Sequence, residues 1–489
     1  MRQFFRKTWV RITLASLGSM AILFLAAYAT FKWLFIPTVP EPDSGEPASQ
    51  LESYLQDLDY LEQYPEYEKA FDDADKREEF TRYIASVRSL LDTMTPERFE
   101  VVVAQAVAIG DNAHSNVSPI SITRRVNHLP VRTGPFEDGE FIIQARQGYE
   151  HLLGAEIIAM EGHPIAEVTE SFISLFGGPE NRSRFFTHLH INSPALLHAQ
   201  RFTASPDGAN VTLKLANGET SNVYLDGTML PDNRRLPYGR EVMDYRVPEQ
   251  DEAEWQHLMA SHEPPLYLAQ PDEPFMYEYL DEPNGAYVKI NYNWDVDGRS
   301  LKDWLKEVAT DMRARQPDFA VVDLRFNGGG TDATNRFAED LPSLVNNDGK
   351  IYIVTSRQTF SAGIGAAAQI KKFAGDRARI VGGLVGDRLR FVANGGTLFK
   401  LPNSGISTRV WSTIEDYADG CWEWGECFWF SPFFRTDGVG DLNPQVVIPM
   451  NFADYASNRD AVMDTILAEV SGSDPGAVSS AETSRRSTR

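Results

Sequence analysis

FAVVDLRFNGGGTD, residues 319–332, decides the architecture. Its first part, Phe319–Arg325, reads as a buried strand, and Gly328, Gly329 and Gly330 follow almost at once. A short apolar run closed by glycines is what a strand covered on both faces looks like in sequence. Working outward, the unit repeats. AYVKINY (Ala286–Tyr292) predicts a strand, followed by a helix with Leu301, Trp304, Leu305, Val308 and Met312 on one face. Downstream, a second helix runs to about Leu344, and IYIVT (Ile351–Thr355) is the next strand. A helix starts at Ser361, and ARIVG (Ala378–Gly382) is a further strand. Strand–helix–strand units of this length predict an α/β fold with a mainly parallel sheet covered by helices. Ligands of such sheets sit beyond the carboxyl ends of the strands.

Two segments lie there. In DLRFNGGGTD (Asp323–Asp332) three glycines let the backbone approach a ligand with no side chain in the way. Their N–H groups, with a helix N-terminus behind them, can hold an anion or a developing oxyanion. Neither phosphate-loop pattern, G-x-x-x-x-G-K-[ST] or G-x-G-x-x-G, is present. In TSRQTFSAGIGAAAQIKK (Thr355–Lys372) Ser361 stands between a strand and a helix of small residues. Taken singly, a serine there reads as an N-cap. A glycine loop after one strand and an exposed serine after the next, on one rim of a parallel sheet, instead read together as an acyl-transfer site.

The order strand–DLRFNGGG, strand–TFSAG–helix, a glycine-rich stretch after the following strand and then LPNSG (Leu401–Gly405) resembles the catalytic domain of the C-terminal-processing peptidases. It is more similar to the tricorn-core-like branch than to the tail-specific proteases. LNPQVVIP (Leu442–Pro449) and NFADYASNRDAVMDTIL (Asn451–Leu467) resemble the family's late segments, and GDNAHSNV (Gly110–Val117) and FEDGEFII (Phe136–Ile143) resemble its upstream ones. The resemblance implies a ClpP/crotonase-like catalytic domain and a serine endopeptidase that acts through an acyl-enzyme on Ser361 without a cofactor. The oxyanion would be held by the N–H groups of Gly328 or Gly329 and of Ala362. Tail-specific members take a lysine as base from the glycine-rich segment, but GGLVGDRLR (Gly382–Arg390) offers Asp387 and Arg388 and no lysine. An arginine stays protonated. The tricorn-like branch implies His114 as the base. Ser115, Asp111, Asp416 and Glu415 are candidates to orient its imidazole, and Glu415 is the one chosen.

The rest of the chain frames this domain. Residues 1–11 form a basic segment carrying Arg2, Arg6, Lys7 and Arg11, and 12–36 an apolar run long enough for a membrane anchor. The flanking charges place the N-terminus in the cytoplasm and the catalytic part in the periplasm or outside the cell. A cleaved signal peptide ending near Ala27-Tyr28-Ala29 is the alternative. Residues 37–50 have linker composition, and 51–109 read as helical from Leu51, Leu55, Leu58 and Leu61 and from Ile84, Val87, Leu90 and Leu91. Residues 110–280 are β-rich. Within them Gly154–Val168 gives a strand, a turn at Glu161-Gly162 and a helix start, resembling half of a PDZ-like substrate-positioning module, and Val211–Leu225 gives a hairpin centred on Asn217-Gly218. The peptidase domain spans 281–470, and a disordered tail takes 471–489.

The chain has 69 acidic and 46 basic residues, a net charge of −23, which argues against nucleic acid as a partner. Its expected partners are a protein or peptide substrate and the membrane. Cys421 and Cys427, in CWEWGEC, either close a small disulfide loop or stay as free thiols. The aromatic residues Trp422, Trp424, Phe428, Trp429 and Phe430 either line a pocket for apolar substrate ends or pack as core or lid. His188 and His190 in THLHI are expected on one strand face, without the carboxylates a metal site needs. The rival function is a catalytically inactive peptide- or ligand-binding module on the same fold. A crotonase-type acyl-CoA enzyme fits poorly with a domain outside the cytoplasm.

Overall fold

The computed structural model describes residues 2–43, 45–231, 234–247, 254–423, 425–428 and 438–472, with side chains from residue 16 onward. At its centre is a six-stranded sheet whose strands run in the spatial order 275–280, 285–290, 319–323, 351–355, 378–382 and 446–447. The first pair is antiparallel and all the others are parallel. The apolar runs that announced these strands are split between two faces by the two-residue period of a strand. Ala286, Val288, Ile290, Ala320, Val322, Ile351 and Ile353 face a core built with helices Leu301–Arg315, Asn335–Leu344 and Ala362–Ala374. Tyr287, Phe319, Val321, Tyr352 and Val354 face the other way, against Val462, Met463 and Ile466 of helix Ala461–Ser471.

Local signals account for the helix bounds. Ser300 caps Leu301–Arg315 by accepting from the Asp303 N–H, and the helix ends at Gln316 in the left-handed region, φ 50°. It buries Leu301, Trp304, Leu305, Val308 and Met312, the face predicted from spacing.

Upstream, helices Gln50–Leu61, Ala74–Arg88 and Pro96–Ala108 occupy the segment read as helical. Leu58, Leu61, Ile84, Val87 and Leu91 are buried, whereas Leu51 is exposed and Leu90, beyond the helix end, lies at the surface. An antiparallel sheet follows, with strands 131–133, 140–146, 156–160, 208–214 and 220–226 along its main path. Strand Glu156–Met160 turns at Glu161 and Gly162, both at positive φ, into helix Ile165–Ile173. Strands Gly208–Lys214 and Thr220–Asp226 pair as the predicted hairpin around Asn217-Gly218. The end of the region read as 110–280 holds strands 228–229 and 255–257 and, at 275–280, the first strand of the central sheet, so that sheet begins before residue 281.

His188 and His190 are not on a strand. They end helix Glu180–His190, in which Phe185, Phe186 and Leu189 are also buried. The helix-starting Pro179-Glu180 and the i, i+4 recurrence of apolar residues outweigh the local alternation of THLHI. Burial pushes both imidazoles down to about 3.

Helix Arg2–Phe35 contains a stretch, Ser16–Phe35, long and apolar enough to cross a membrane. Its last turn rests on the domain: Phe35 is fully buried, its carbonyl accepts from Ser412 Oγ at 2.5 Å, and Phe31 and Phe35 contact the ring of Phe428. Cys421 and Cys427 are joined as a disulfide. Trp422 is exposed. Trp424, Trp429 and Phe430 lie outside the described residues; of the tail expected over 471–489, Ser471 instead ends helix Ala461–Ser471, Gly472 caps it, and 473–489 lie outside the described residues.

Candidate active site

Strands 319–323 and 351–355 are parallel neighbours, so the loops leaving their carboxyl ends share one rim. Ser361 sits on the second of these loops, at φ 53° and ψ −124°, immediately before helix Ala362–Ala374. A non-glycine residue in that region is strained and persists only where its surroundings hold it. Its hydroxyl makes no capping bond to the helix it precedes, so the ordinary reason for a serine at this junction is absent. Ser361 and Ala362 are half-buried while the following turn is buried.

The glycine loop is pressed against this serine. A Cβ on Gly329, whose φ is 104°, would lie 2.7 Å from Ser361 Cβ and 3.0 Å from Ala362 N. A Cβ on Gly363 would lie 2.5 Å from the Asn327 carbonyl oxygen, which explains why the serine helix opens with small residues. Phe360 N–H donates to Asn327 O at 2.9 Å, and Gly329 N–H donates to Asn327 Oδ1 at 3.0 Å. The Gly329 N–H is therefore already engaged. Of the three N–H groups expected to hold an oxyanion, those of Gly328 and Ala362 donate to no protein acceptor among the described residues.

His114 comes from the turn after helix Pro96–Ala108 and is brought to this rim by packing. Its ring stacks on Phe360 at 4.2 Å between centroids and on Phe391 at 4.9 Å, with the Trp411 ring edge-on at 6.0 Å. Phe360 is the residue before Ser361, so the imidazole stands beside the serine loop. Its backbone is pinned at both ends: the N–H donates to Asn112 Oδ1 at 3.1 Å, and the carbonyl accepts from Trp411 Nε1 at 2.8 Å. Behind both lies Glu68, which accepts from Asn112 Nδ2 at 3.0 Å and from Trp411 N–H at 2.7 Å. Burial pushes the Glu68 carboxyl up to about 7.

The carboxylate at the imidazole is Asp387, whose Oδ2 is 3.4 Å from His114 Nδ1, with the two side chains 2% and 7% exposed. Its turn is latched on two sides. Gly386 N–H donates to Thr359 O at 2.8 Å, and the Arg388 guanidinium donates to Asp111 Oδ2 at 2.8 Å. The Arg182 guanidinium lies 4.3 Å from the Phe360 ring centre. Burial lowers its pKa, which Tyr238 and Asp387 partly counter.

The other candidates to orient His114 are engaged elsewhere. Asp111 holds Arg388 and the Gly178 N–H, and Ser115 Oγ accepts from Asn112 Nδ2. Asp416 holds Arg390 and the Ala418 and Asp419 N–H groups. Glu415 is 3% exposed and accepts from Asn394 Nδ2. It lies directly across the 390–393/413–416 ladder from Phe391, which places it one residue away from the His114 ring. Sequence reasoning passed over Asp387, Glu68, Trp411 and the two phenylalanines. The one available signal was an acid standing in GGLVGDRLR where a lysine was sought.

No family model matches the chain, and no curated protein is similar to it in sequence. Among solved structures, mature CPAF complexed with lactacystin is 14% identical, with a TM-score of 0.52 over 86% of this chain and 97% of that chain. Mature CPAF alone gives 12% identity and a TM-score of 0.52 over 86% and 96%. The photosystem II D1 C-terminal processing protease, at 12% identity over 84% and 97%, gives a TM-score of 0.33, too low for an argument from shape. Over most of its length the chain thus has the α/β fold of mature CPAF, and its resemblance to the C-terminal-processing peptidases holds at the level of the fold.

Proposed function

We propose that the protein is a serine endopeptidase of the C-terminal-processing kind. The observation that carries this reading is Ser361: strained, uncapping, pressed by the glycine loop and flanked through Phe360 by a histidine that faces a buried carboxylate. Asp387 Oδ2 stands 3.4 Å from His114 Nδ1 with no hydrogen bond between them, and closing that gap lets it accept the Nδ1–H and leaves a lone pair on Nε2 for the serine proton. Ser361 Oγ attacks the peptide carbonyl, a C–O bond forms, and the proton passes to His114. The N–H groups of Gly328 and Ala362 hold the oxyanion. Collapse breaks the C–N bond, His114 returns the proton to the leaving amine, and water then releases the acyl-enzyme by the same steps.

The central sheet with its helices serves as the ClpP/crotonase-like catalytic part. The strand–turn–helix at 156–173 with the 208–226 hairpin serves as the PDZ-like part that presents substrate. Helix Arg2–Phe35 anchors the protein, with the catalytic part outside the cytoplasm, where a disulfide such as Cys421–Cys427 persists. The substrate is then an extracytoplasmic protein or peptide.

The test is labelling by a fluorophosphonate and cleavage of casein by the full chain, compared with Ser361→Ala and His114→Ala. Labelling and cleavage lost in both variants support the reading. A wild type that neither labels nor cleaves points to the binding module.

A further inference from the structure

We infer that Asn293 is a positioning residue for the oxyanion site, acting through the glycine loop and the serine helix together. It follows strand 285–290 at the rim where both loops emerge, and it is fully buried. Its backbone N–H donates to Gly329 O at 3.0 Å. Its carbonyl accepts from the Thr331 N–H at 2.8 Å and from Thr331 Oγ1 at 2.6 Å. Its side chain reaches the other loop: Nδ2 donates to Ala362 O at 2.8 Å, and Oδ1 accepts from Asn327 Nδ2 at 2.8 Å.

These contacts form one series. Gly329 N–H donates to Asn327, Asn327 donates to Asn293, and Asn293 donates to Ala362. Both ends of Gly329 are therefore fixed, its N–H through Asn327 and its carbonyl through the backbone of Asn293. The residue that follows Ser361 is fixed by the Asn293 amide. Gly329, the neighbour of Gly328, and Ala362 thus sit at opposite ends of a strut that runs through Asn327 and Asn293. A buried amide with every polar atom paired is rigid, and bonds in series polarise one another. Only a side chain with one donor and one acceptor at this reach completes the series. Aspartate has the shape but lacks the donor, and would turn a carboxylate oxygen toward the Ala362 carbonyl.

The inference rests on the peptidase reading, and its test separates the two. Full-length wild type, Asn293→Asp and Asn293→Ser are treated with a fluorophosphonate, recording both the rate and the final stoichiometry of labelling, together with kcat and KM on fluorescent casein. Displacing preorganised donors by a fraction of an ångström to one ångström costs roughly 10–100-fold in rate. The expected result is that loss in both labelling rate and kcat, with the labelling stoichiometry and KM held at wild-type values. A lower stoichiometry at an unchanged rate means a fraction of unfolded protein and overturns the inference. So does Asn293→Asp with a kcat within threefold of wild type. If Asn293→Asp does not fold, Thr331→Val removes one bond to the Asn293 carbonyl and leaves the amide in place. It should lower the labelling rate without lowering the stoichiometry, and an unchanged rate overturns the inference. Failure of the wild type to label at all removes the peptidase reading and this one with it.

Discussion

Adding one methyl group to Gly329 should abolish most of the reactivity proposed for Ser361, by an amount the local geometry sets. The φ of Gly329 is 104°, where an L side chain is strained at a cost of about 1–3 kcal/mol. The added Cβ would stand 2.7 Å from Ser361 Cβ, 2.9 Å from Phe360 O and 3.0 Å from Ala362 N. Carbon atoms in contact prefer roughly 3.5–4.0 Å, so the loop or the serine must retreat by about 1 Å. A retreat of that size at a reacting centre costs on the order of 10²-fold, and a lost oxyanion donor about 10²–10³-fold, or roughly 2.7–4 kcal/mol. Gly328 supplies the comparison, because a Cβ there meets nothing within 4 Å. The assay is the second-order rate of fluorophosphonate labelling, with a thermal melt to confirm folding. Gly329→Ala should fall by about 100-fold or more, and Gly328→Ala by at least tenfold less. Equal losses in the two variants, or a Gly329→Ala enzyme that labels at the wild-type rate, would refute the placement of the loop against Ser361.

Asp387→Asn should lower kcat on casein by about 10³–10⁴-fold by leaving His114 in the wrong tautomer, and Glu415→Gln by less than tenfold. The reverse order would return the orienting role to Glu415. The buried histidines make stability depend on pH. Burial holds His188 and His190 at about 3 and His128 and His257 at about 4, below the ordinary 6.5, so their contribution is lost as pH falls from 6.5 toward 3. Glu68, Glu100 and Glu140, raised by burial to about 7 from 4.5, act oppositely and gain stability as pH falls between those values. At about 1.4 kcal/mol per group per pH unit, four losses and three gains nearly cancel from pH 7 to 5. The melting temperature should stay level there and drop steeply below about 4.5, and a steady decline from pH 7 would contradict these assignments. The full chain should remain in membranes through alkaline carbonate extraction, whereas a chain without residues 1–36 should be released. Release of the full chain would leave helix Arg2–Phe35 without its role as an anchor.

The parts of the structure that were legible in the sequence share a physical property: each depends on neighbours close in the chain. Strands 285–290, 319–323, 351–355 and 378–382 are buried on both faces, and that burial is written as continuous apolar runs. Because consecutive strands of such units lie side by side, the glycine loop and Ser361 had to meet once the strands were recognised. The hairpin 397–400/407–410 breaks the rule. It lies between strands of the central sheet in sequence, yet Phe399, Leu401, Ile406 and Val410 pack into the core of the upstream helices and sheet. Nothing local distinguishes a strand that joins its own sheet from one that crosses to another.

His114 was reached in the sequence only through a family resemblance, and Asp387 was not paired with it at all, for a sharper reason. His114 is held by ring faces, Phe360 on the serine loop and Phe391 on a strand that pairs far downstream, with only its backbone hydrogen-bonded. Aromatic residues that grip an imidazole have the same sequence signature as those that fill a core. The wall of the site therefore reads as packing. Asp387 is hidden in another way, because its two neighbours in the chain are Gly386 and Arg388, whose own contacts run to Thr359 and Asp111 on separate elements. Those contacts aim the carboxylate, and each partner lies on a different segment. The glycine loop and serine can be inferred from two adjacent strands, whereas the His114–Asp387 pair exists only where the upstream turn, the serine loop and the glycine-rich turn close on one another.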